Sequence, residues 1–151
     1  MLVGVISDTH GLLRPEAVAT LRGVDYILHA GDVGKAEILD QLGQIAQVTA
    51  IRGNVDLNGR CGRLPETELV ELGGLSIYML HDRLALDLDP VAAGIAAVVF
   101  GHSHQPLIEW VKGVLYFNPG SAGPRRFSLP VSLGFLEISK TGIEARLETI
   151  G

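Results

Sequence analysis

The sequence predicts an α/β protein: a four-layer α/β/β/α sandwich of two facing mixed sheets with helices outside. Three observations predict it. Residues 2–51 alternate short apolar strands with helical stretches, the pattern of parallel strands joined by crossovers. Residues 68–147 consist mostly of strand pairs around two-residue turns. The opening strand is apolar without alternation, as required when both sheet faces are covered.

Each element follows in order. Leu2–Ser7 is a strand and Gly11–Arg14 a loop. Pro15 suits the first turn of a helix, which carries Val18 and Leu21 at helical spacing. Tyr26–His29 is the second strand. Ala36–Leu42 is a short helix with Ile38, Leu39 and Leu42 on one side and Gly43 as its stop. Val48–Ile51 is the third strand, and Leu57–Pro65, rich in turn formers, is a loop carrying Arg60 and Arg63. Glu68–Leu72 and Leu75–Leu80 form a hairpin about Gly73-Gly74, a pair that accepts positive φ. Pro90–Ala93 starts a short helix ahead of the strand Ala97–Phe100. Ile108–Val111 and Val114–Phe117 form a hairpin about Lys112-Gly113, and Ser132–Ile138 and Ile143–Leu147 another about Thr141-Gly142.

The 151 residues, 47% hydrophobic and 19% charged, suit one globular domain over 1–151, with no repeat and no low-complexity segment. The net charge of −5 argues against a general nucleic-acid binder, which would show a basic stripe. It leaves room for a small phosphorylated substrate, because bound divalent cations reverse the local field. Cys61, the only cysteine, excludes an internal disulfide and reads as an incidental loop thiol. The chain opens on a strand with no signal-peptide pattern, and Val91–Phe100 is far short of the ~20 residues of a membrane helix. A cytoplasmic protein is expected. Apolar positions on the late hairpins leave a homo-oligomer open.

Chemistry is concentrated where apolar runs end. Asp8 and His10 follow the first run, Asp32 the second and Asn54 the third; His81, His102 and His104 follow later ones. In α/β sheets, ligands bind beyond the carboxyl ends of strands. Seven donors at such ends are too many for one ordinary metal site and suit two. Carboxylate, imidazole and carboxamide together fit Mn²⁺, Fe²⁺, Zn²⁺, Ni²⁺ or Co²⁺ rather than an oxygen-only Ca²⁺ cage. Gly31, Gly53 and Gly101, ahead of Asp32, Asn54 and His102, let the backbone turn sharply.

The series Asp8-x-His10, Gly31-Asp32, Gly53-Asn54, His81 and Gly101-His102-Ser103-His104 resembles the calcineurin-like metallophosphoesterase superfamily. The short chain, the GNVD string Gly53–Asp56 and Asn118-Pro119-Gly120-Ser121 are similar to its small bacterial and archaeal phosphodiesterase branch. The resemblance implies the metallophosphatase fold and two divalent ions, with manganese the first choice. It assigns Asp8, His10 and His104 to one ion, Asn54, His81 and His102 to the other, and Asp32 to a bridge between them. It also implies a phosphodiesterase in which a hydroxide bridging the metals attacks phosphorus in line, with Asp32, Asn54 and His102 as catalytic residues.

Two positions depart from the larger relatives. Val55 stands where they carry a histidine that assists the leaving group, and Lys35 where they carry the aspartate that orients it. Diesters or activated esters are therefore the expected substrates. Arg125 and Arg126 are candidates to grip substrate phosphate, and Arg60 and Arg63 are candidates on equal terms; Arg125 and Asn54 are the expected substrate contacts. His29, inside its strand, reads as a core histidine or as a support to the ligands. Asp56 is either a loop cap or a neighbour of the second ion, and Asp82 either orients His81 or is a solvated charge. Ser103 reads as a linker and Trp110 as packing. The alternative function is a non-catalytic interaction module, a use to which the superfamily is put in the retromer coat. Hydrolysis of a non-phosphate substrate ranks below both.

Overall fold

The computed structural model describes residues 1–151. Its strands are β1 (Leu2–Ile6), β2 (Tyr26–His29), β3 (Gln47–Ala50), β4 (Thr67–Leu72), β5 (Leu75–Leu80), β6 (Ile95–Val99), β7 (Leu107–Val111), β8 (Val114–Asn118), β9 (Ser132–Ser139) and β10 (Gly142–Thr149). Its helices are α1 (Pro15–Leu21), α2 (Ala36–Gly43) and the single turn α3 (Gly59–Gly62). They form two sheets of five strands, ordered β10-β9-β1-β2-β3 and β4-β5-β6-β8-β7.

Parallel and antiparallel pairing divide as the connections dictate. Strands β1, β2 and β3 are parallel because α1 and α2 carry the chain back between them. Hairpin turns make β9–β10, β4–β5 and β7–β8 antiparallel, while β5, β6 and β8 are parallel. Alternate residues then face opposite sides. Val3, Val5, Leu28 and Leu136 of the first sheet meet Ile77, Met79, Val99 and Phe117 of the second in the central core. Gly134 in β9 leaves room for the Phe117 ring, which a Cβ there would strike.

The outer faces differ. Leu21, Ile38 and Leu42 of α1 and α2 cover Ile6 and Ile27 of the first sheet. The second sheet turns Leu80, Val98 and Tyr116 outward, where Leu86 and Leu88 cover them. The fourth layer is thus a strap over residues 82–94 whose only helical piece is a 3-10 turn at Arg83–Ala85. The short helix expected from Pro90 is a turn: Asp89 accepts from the amides of Val91 and Ala92, and Gly94, at φ 72°, ends it. Within the expected loop Leu57–Pro65, the chain coils once as α3 because Cys61 is drawn into the core beneath α2. Burial first, with Asp56 adding to it, pushes the Cys61 thiol pKa up, as for an inert thiol. No helix is long and apolar enough to cross a membrane.

Candidate metal centre

The loops after β1, β2, β5 and β6 meet at one edge of the sandwich, and backbone bonds continue the sheets into them. Asp8 N–H donates to Gly31 O at 3.0 Å, His10 N–H to Asp32 O at 2.9 Å and Gly101 N–H to His81 O at 3.0 Å. The two sheets are joined directly by His102 N–H, which donates to Asp8 Oδ2 at 3.1 Å. Five of the expected ligands hold left-handed backbone: Asp8 (φ 56°), His10 (46°), Asp32 (55°), His102 (72°) and His104 (62°). Such residues cost on the order of 1–3 kcal/mol each, and they cluster where surrounding structure holds a site in place.

The three glycines act in two ways. Gly31 takes φ 101°, the sharp turn expected of it, and a Cβ there would also lie 2.7 Å from His81 Nδ1. Gly53 and Gly101 are not left-handed; they matter because they have no side chain. A Cβ on Gly53 would strike the Asp32 carboxylate, and one on Gly101 would strike Ser7 Oγ and reach Asp8 Oδ2 at 2.5 Å.

The side chains converge tightly. Asp8 Oδ1 lies 3.6, 3.7 and 3.4 Å from Nε2 of His10, His81 and His104. Asp32 Oδ2 lies 3.3 Å from His10 Nε2 and 3.2 Å from His81 Nε2. Asp8 is common to two ligand clusters, one with His10 and His104 and one with Asp32 and His81. His81 Nδ1–H donates to Ala30 O at 2.7 Å, which leaves Nε2 free to face the carboxylates.

Asp8 Oδ1, His10 Nε2, His81 Nε2 and His104 Nδ1 are buried without a hydrogen-bond partner. Buried polar atoms are almost always satisfied. His104 turns Nε2 rather than Nδ1 to Asp8. The orphans that face one another are therefore Asp8 Oδ1, His10 Nε2 and His81 Nε2, and these three call for a shared partner. A divalent cation fits that donor set of carboxylate and imidazole.

Charge inside this cluster is strongly coupled. Burial alone would push the Asp8 carboxyl up, but His10, His104, His81 and the Ser7 hydroxyl hold it well below the carboxylate range. For Asp32 too, burial pushes up, and the nearby His81 and the Val55 amide prevail and lower it. Burial would lower the His81 imidazole, yet Asp32 and Asp8 raise it to about 9. The Asp8 carboxylate raises His10 against the effect of burial.

The remaining expected residues sit around this centre. His102 is exposed, with its ring edge-on to His81 at 5.3 Å and its Nε2 3.9 Å from Asp82 Oδ2. Asp82 therefore faces His102, whereas the Ala30 carbonyl orients His81. Exposed Asn54 lines a cavity of about 700 Å³ together with His81. Arg125 and Arg126 line a smaller cavity of about 180 Å³ with His10 and His104. Val55 points its side chain partly into solvent while its N–H donates to Asp32 Oδ1 at 2.9 Å. Arg60 is away from the centre, paired with Asp40 at 2.7 Å.

A second set of residues holds the ligand loops in place. Buried His29 accepts from Gly31 N–H at Nδ1, and its Nε2–H donates to Thr9 Oγ1 at 3.0 Å, because that hydroxyl already donates to Val33 O. Burial holds His29 down to about 4, neutral at ordinary pH. Asp56 is a cap: it accepts from the amides of Val33, Gly34 and Gly53, tying the β2 loop to the β3 loop. Asn118 donates to Gly101 O at 3.1 Å and to Ser103 Oγ at 3.2 Å, so Ser103 links the histidine loop to β8. Sequence reasoning had no role for Thr9 and saw Asn118 only as part of a string. Their one signal was a position beside, or at the strand end facing, a ligand pair.

Residues 1–141 match the family model of the calcineurin-like phosphoesterase superfamily domain. A probable metallophosphoesterase of Methanocaldococcus jannaschii is 38% identical, over 98% of this chain and 79% of the relative. The structure of an archaeal phosphodiesterase superposes with a TM-score of 0.80 at 23% identity, covering 98% of this chain and 100% of the other. Zinc-bound Vps29 of Entamoeba histolytica superposes with a TM-score of 0.73 at 24% identity, covering 100% of both chains.

Proposed function

The chain belongs to the calcineurin-like phosphoesterase superfamily, and we propose that within it the protein is a phosphodiesterase working through two divalent cations, manganese first among those its donors suit. Asp8, His10 and His104 would hold one cation and Asn54, His81 and His102 the other, with Asp32 shared. When bound, such cations neutralise charge on phosphoryl oxygens and acidify an attacking water.

The chain's own residues do the rest. Asp8 and Asp32 stay ionised in the buried floor because histidines surround them. Asn54 and His102 stand at the open rim, where the phosphoryl group enters, and the Asn54 amide can donate to a phosphoryl oxygen. Arg125 meets substrate negative charge from the His10 side. With Val55 and Lys35 at the departing positions, no histidine stands ready to protonate the leaving group. Activated diesters are therefore favoured over alkyl monoesters.

The unpartnered Asp8 Oδ1, His10 Nε2 and His81 Nε2, buried against one another, carry this reading. Hydrolysis of bis(p-nitrophenyl) phosphate with added Mn²⁺ tests it. Asp32→Ala is expected to lower the rate at least about 100-fold. Wild-type turnover no higher than that variant with Mn²⁺, Fe²⁺, Co²⁺, Ni²⁺ and Zn²⁺ alike would overturn it. The likeness to Vps29 favours an interaction module as the second reading. Retention of the full donor set argues for the enzyme.

A further inference from the structure

We infer that Pro124–Phe127 forms a subsite for a nucleoside-bearing arm of the substrate, in which Arg125 and Arg126 meet phosphate and Phe127 stacks on the base. The inference rests on the phosphodiesterase reading above. The segment starts from the floor of the metal centre. Ser121 Oγ donates to Asp8 O at 2.9 Å, and Arg14 Nε donates to Gly123 O at 3.1 Å. Gly123 packs so closely that a Cβ would strike Thr9 O and lie 2.7 Å from Asp8 O. The two exposed arginines that follow line one cavity with His10 and His104.

Neither guanidinium has a carboxylate partner, although the chain has 17 acidic residues against 12 lysines and arginines. Arg52, Arg60 and Arg83 each found one. Among the six arginines without one, Arg125 and Arg126 are set apart by lining a cavity with His10 and His104. The single hydrogen bond from this pair is a long one, Arg125 to Leu129 O at 3.5 Å. Two unpaired guanidiniums beside ligand histidines suit an external phosphate. Their cavity of about 180 Å³ is below the roughly 300 Å³ at which pockets for drug-sized ligands begin, so it takes a phosphate and leaves a nucleoside outside.

Phe127 lies immediately beyond. It is 90% exposed and holds φ 53°, a strained conformation for a bulky residue. Nothing within the chain is gained by presenting that ring to water, whereas a flat base would cover it. On the opposite flank, the larger cavity carries Asp82 and Asp87, with Glu66 neutralised by Arg52, and the two aspartates disfavour a second anion. Charge and shape thus direct the nucleotide-like arm to the arginine side.

Two chromogenic diesters that share nitrophenolate, p-nitrophenyl thymidine 5′-phosphate and p-nitrophenyl phosphorylcholine, test this alongside calorimetry of adenosine 5′-monophosphate and inorganic phosphate on the manganese-loaded protein. The thymidine diester is expected to have the higher kcat/KM, and the nucleotide to bind more tightly than phosphate. Phe127→Ala is expected to cut the nucleotide-over-phosphate affinity ratio about fivefold or more, the lower end of base stacking, and Phe127→Trp to retain it. Arg126→Ala is expected to weaken both ligands. A ratio unmoved in Phe127→Ala, or a preference for the choline diester, overturns the subsite. So does a wild-type dimer that Phe127→Ala turns into a monomer with the ratio unchanged, since the ring is then covered by a second copy. Nucleotide discrimination without turnover of either diester supports the subsite and overturns the phosphodiesterase reading instead.

Discussion

Two parts of the metal centre are built on different terms. In the floor, Asp8, Asp32, His81 and His104 are 0, 4, 7 and 3% exposed, and the first three are held by hydrogen bonds from or to the backbone. At the rim, the His102 side chain is 46% exposed, with Asp82 and the edge of the His81 ring beside it, and the exposed Asn54 side chain makes no hydrogen bond. The floor is preorganised by folding. The rim is oriented only when something binds. Buried charge in the floor also explains why orphaned atoms gather there, since a solvated rim leaves none.

The sharpest way to break this comparison is to delete one ligand from each part. His81→Ala is expected to reduce kcat/KM on a diester about 1000-fold and to remove metal from the purified protein. His102→Ala is expected to cost about 10–100-fold, recovered in part at high Mn²⁺, because the floor still holds its donors. Steady-state kinetics across a metal titration, with elemental analysis, gives both readings. Equal losses would mean that floor and rim are one unit.

A second test leaves every ligand in place. Gly101→Ala puts a Cβ against Ser7 Oγ and Asp8 Oδ2 and is expected to weaken metal affinity about 10–100-fold. Gly43→Ala, at the end of α2 with open space around its Cβ position and, like Gly101, no left-handed backbone, is the control for an added methyl alone. Calorimetric metal titration of both variants separates crowding of the carboxylate from general destabilisation.

Much of the floor was legible in the sequence because a buried strand that ends in a polar residue aims it at a sheet edge. The runs before Asp8, Asp32, His81 and His102 have that form, and the strands β1, β2, β5 and β6 end where those runs end. Orientation was not legible. Asp82 follows His81 in sequence, yet the backbone carries it to His102, and the partner of His81 comes from Ala30 in the other sheet. Nor was the reason for Gly53 and Gly101, since a missing Cβ matters only once the facing carboxylate is in position. The helical turn α3 was hidden because its apolar content is a single buried cysteine between two glycines. Local pattern reports where a chain turns. It says nothing of what waits across the turn.

The smallest expected effect is on stability and contrasts two buried histidines. His29 is held neutral, at about 4 against an ordinary 6.5, because burial outweighs the nearby carboxylates. The unfolded chain takes up this proton first, so the His29 contribution is present above pH 6.5 and is lost as pH falls toward 4, about 3 kcal/mol at most. His81 runs the other way: its value of about 9 gives metal-free protein a contribution that is full below pH 6.5 and lost as pH rises through 9. His10, also raised, adds to that alkaline limb. Asp8 and Asp32, held low, lose their contributions only at pH values below the His29 window. Urea midpoints of chelator-treated protein are therefore expected to peak near pH 6.5. His29→Gln, which keeps an N–H for Thr9 and cannot titrate, should flatten the acid limb. Metal should flatten the alkaline limb, because a cation then replaces the proton between Asp8 and Asp32. An alkaline limb that survives saturating Mn²⁺ would mean that His81 or His10 keeps its proton beside the metal, and so is not one of its ligands.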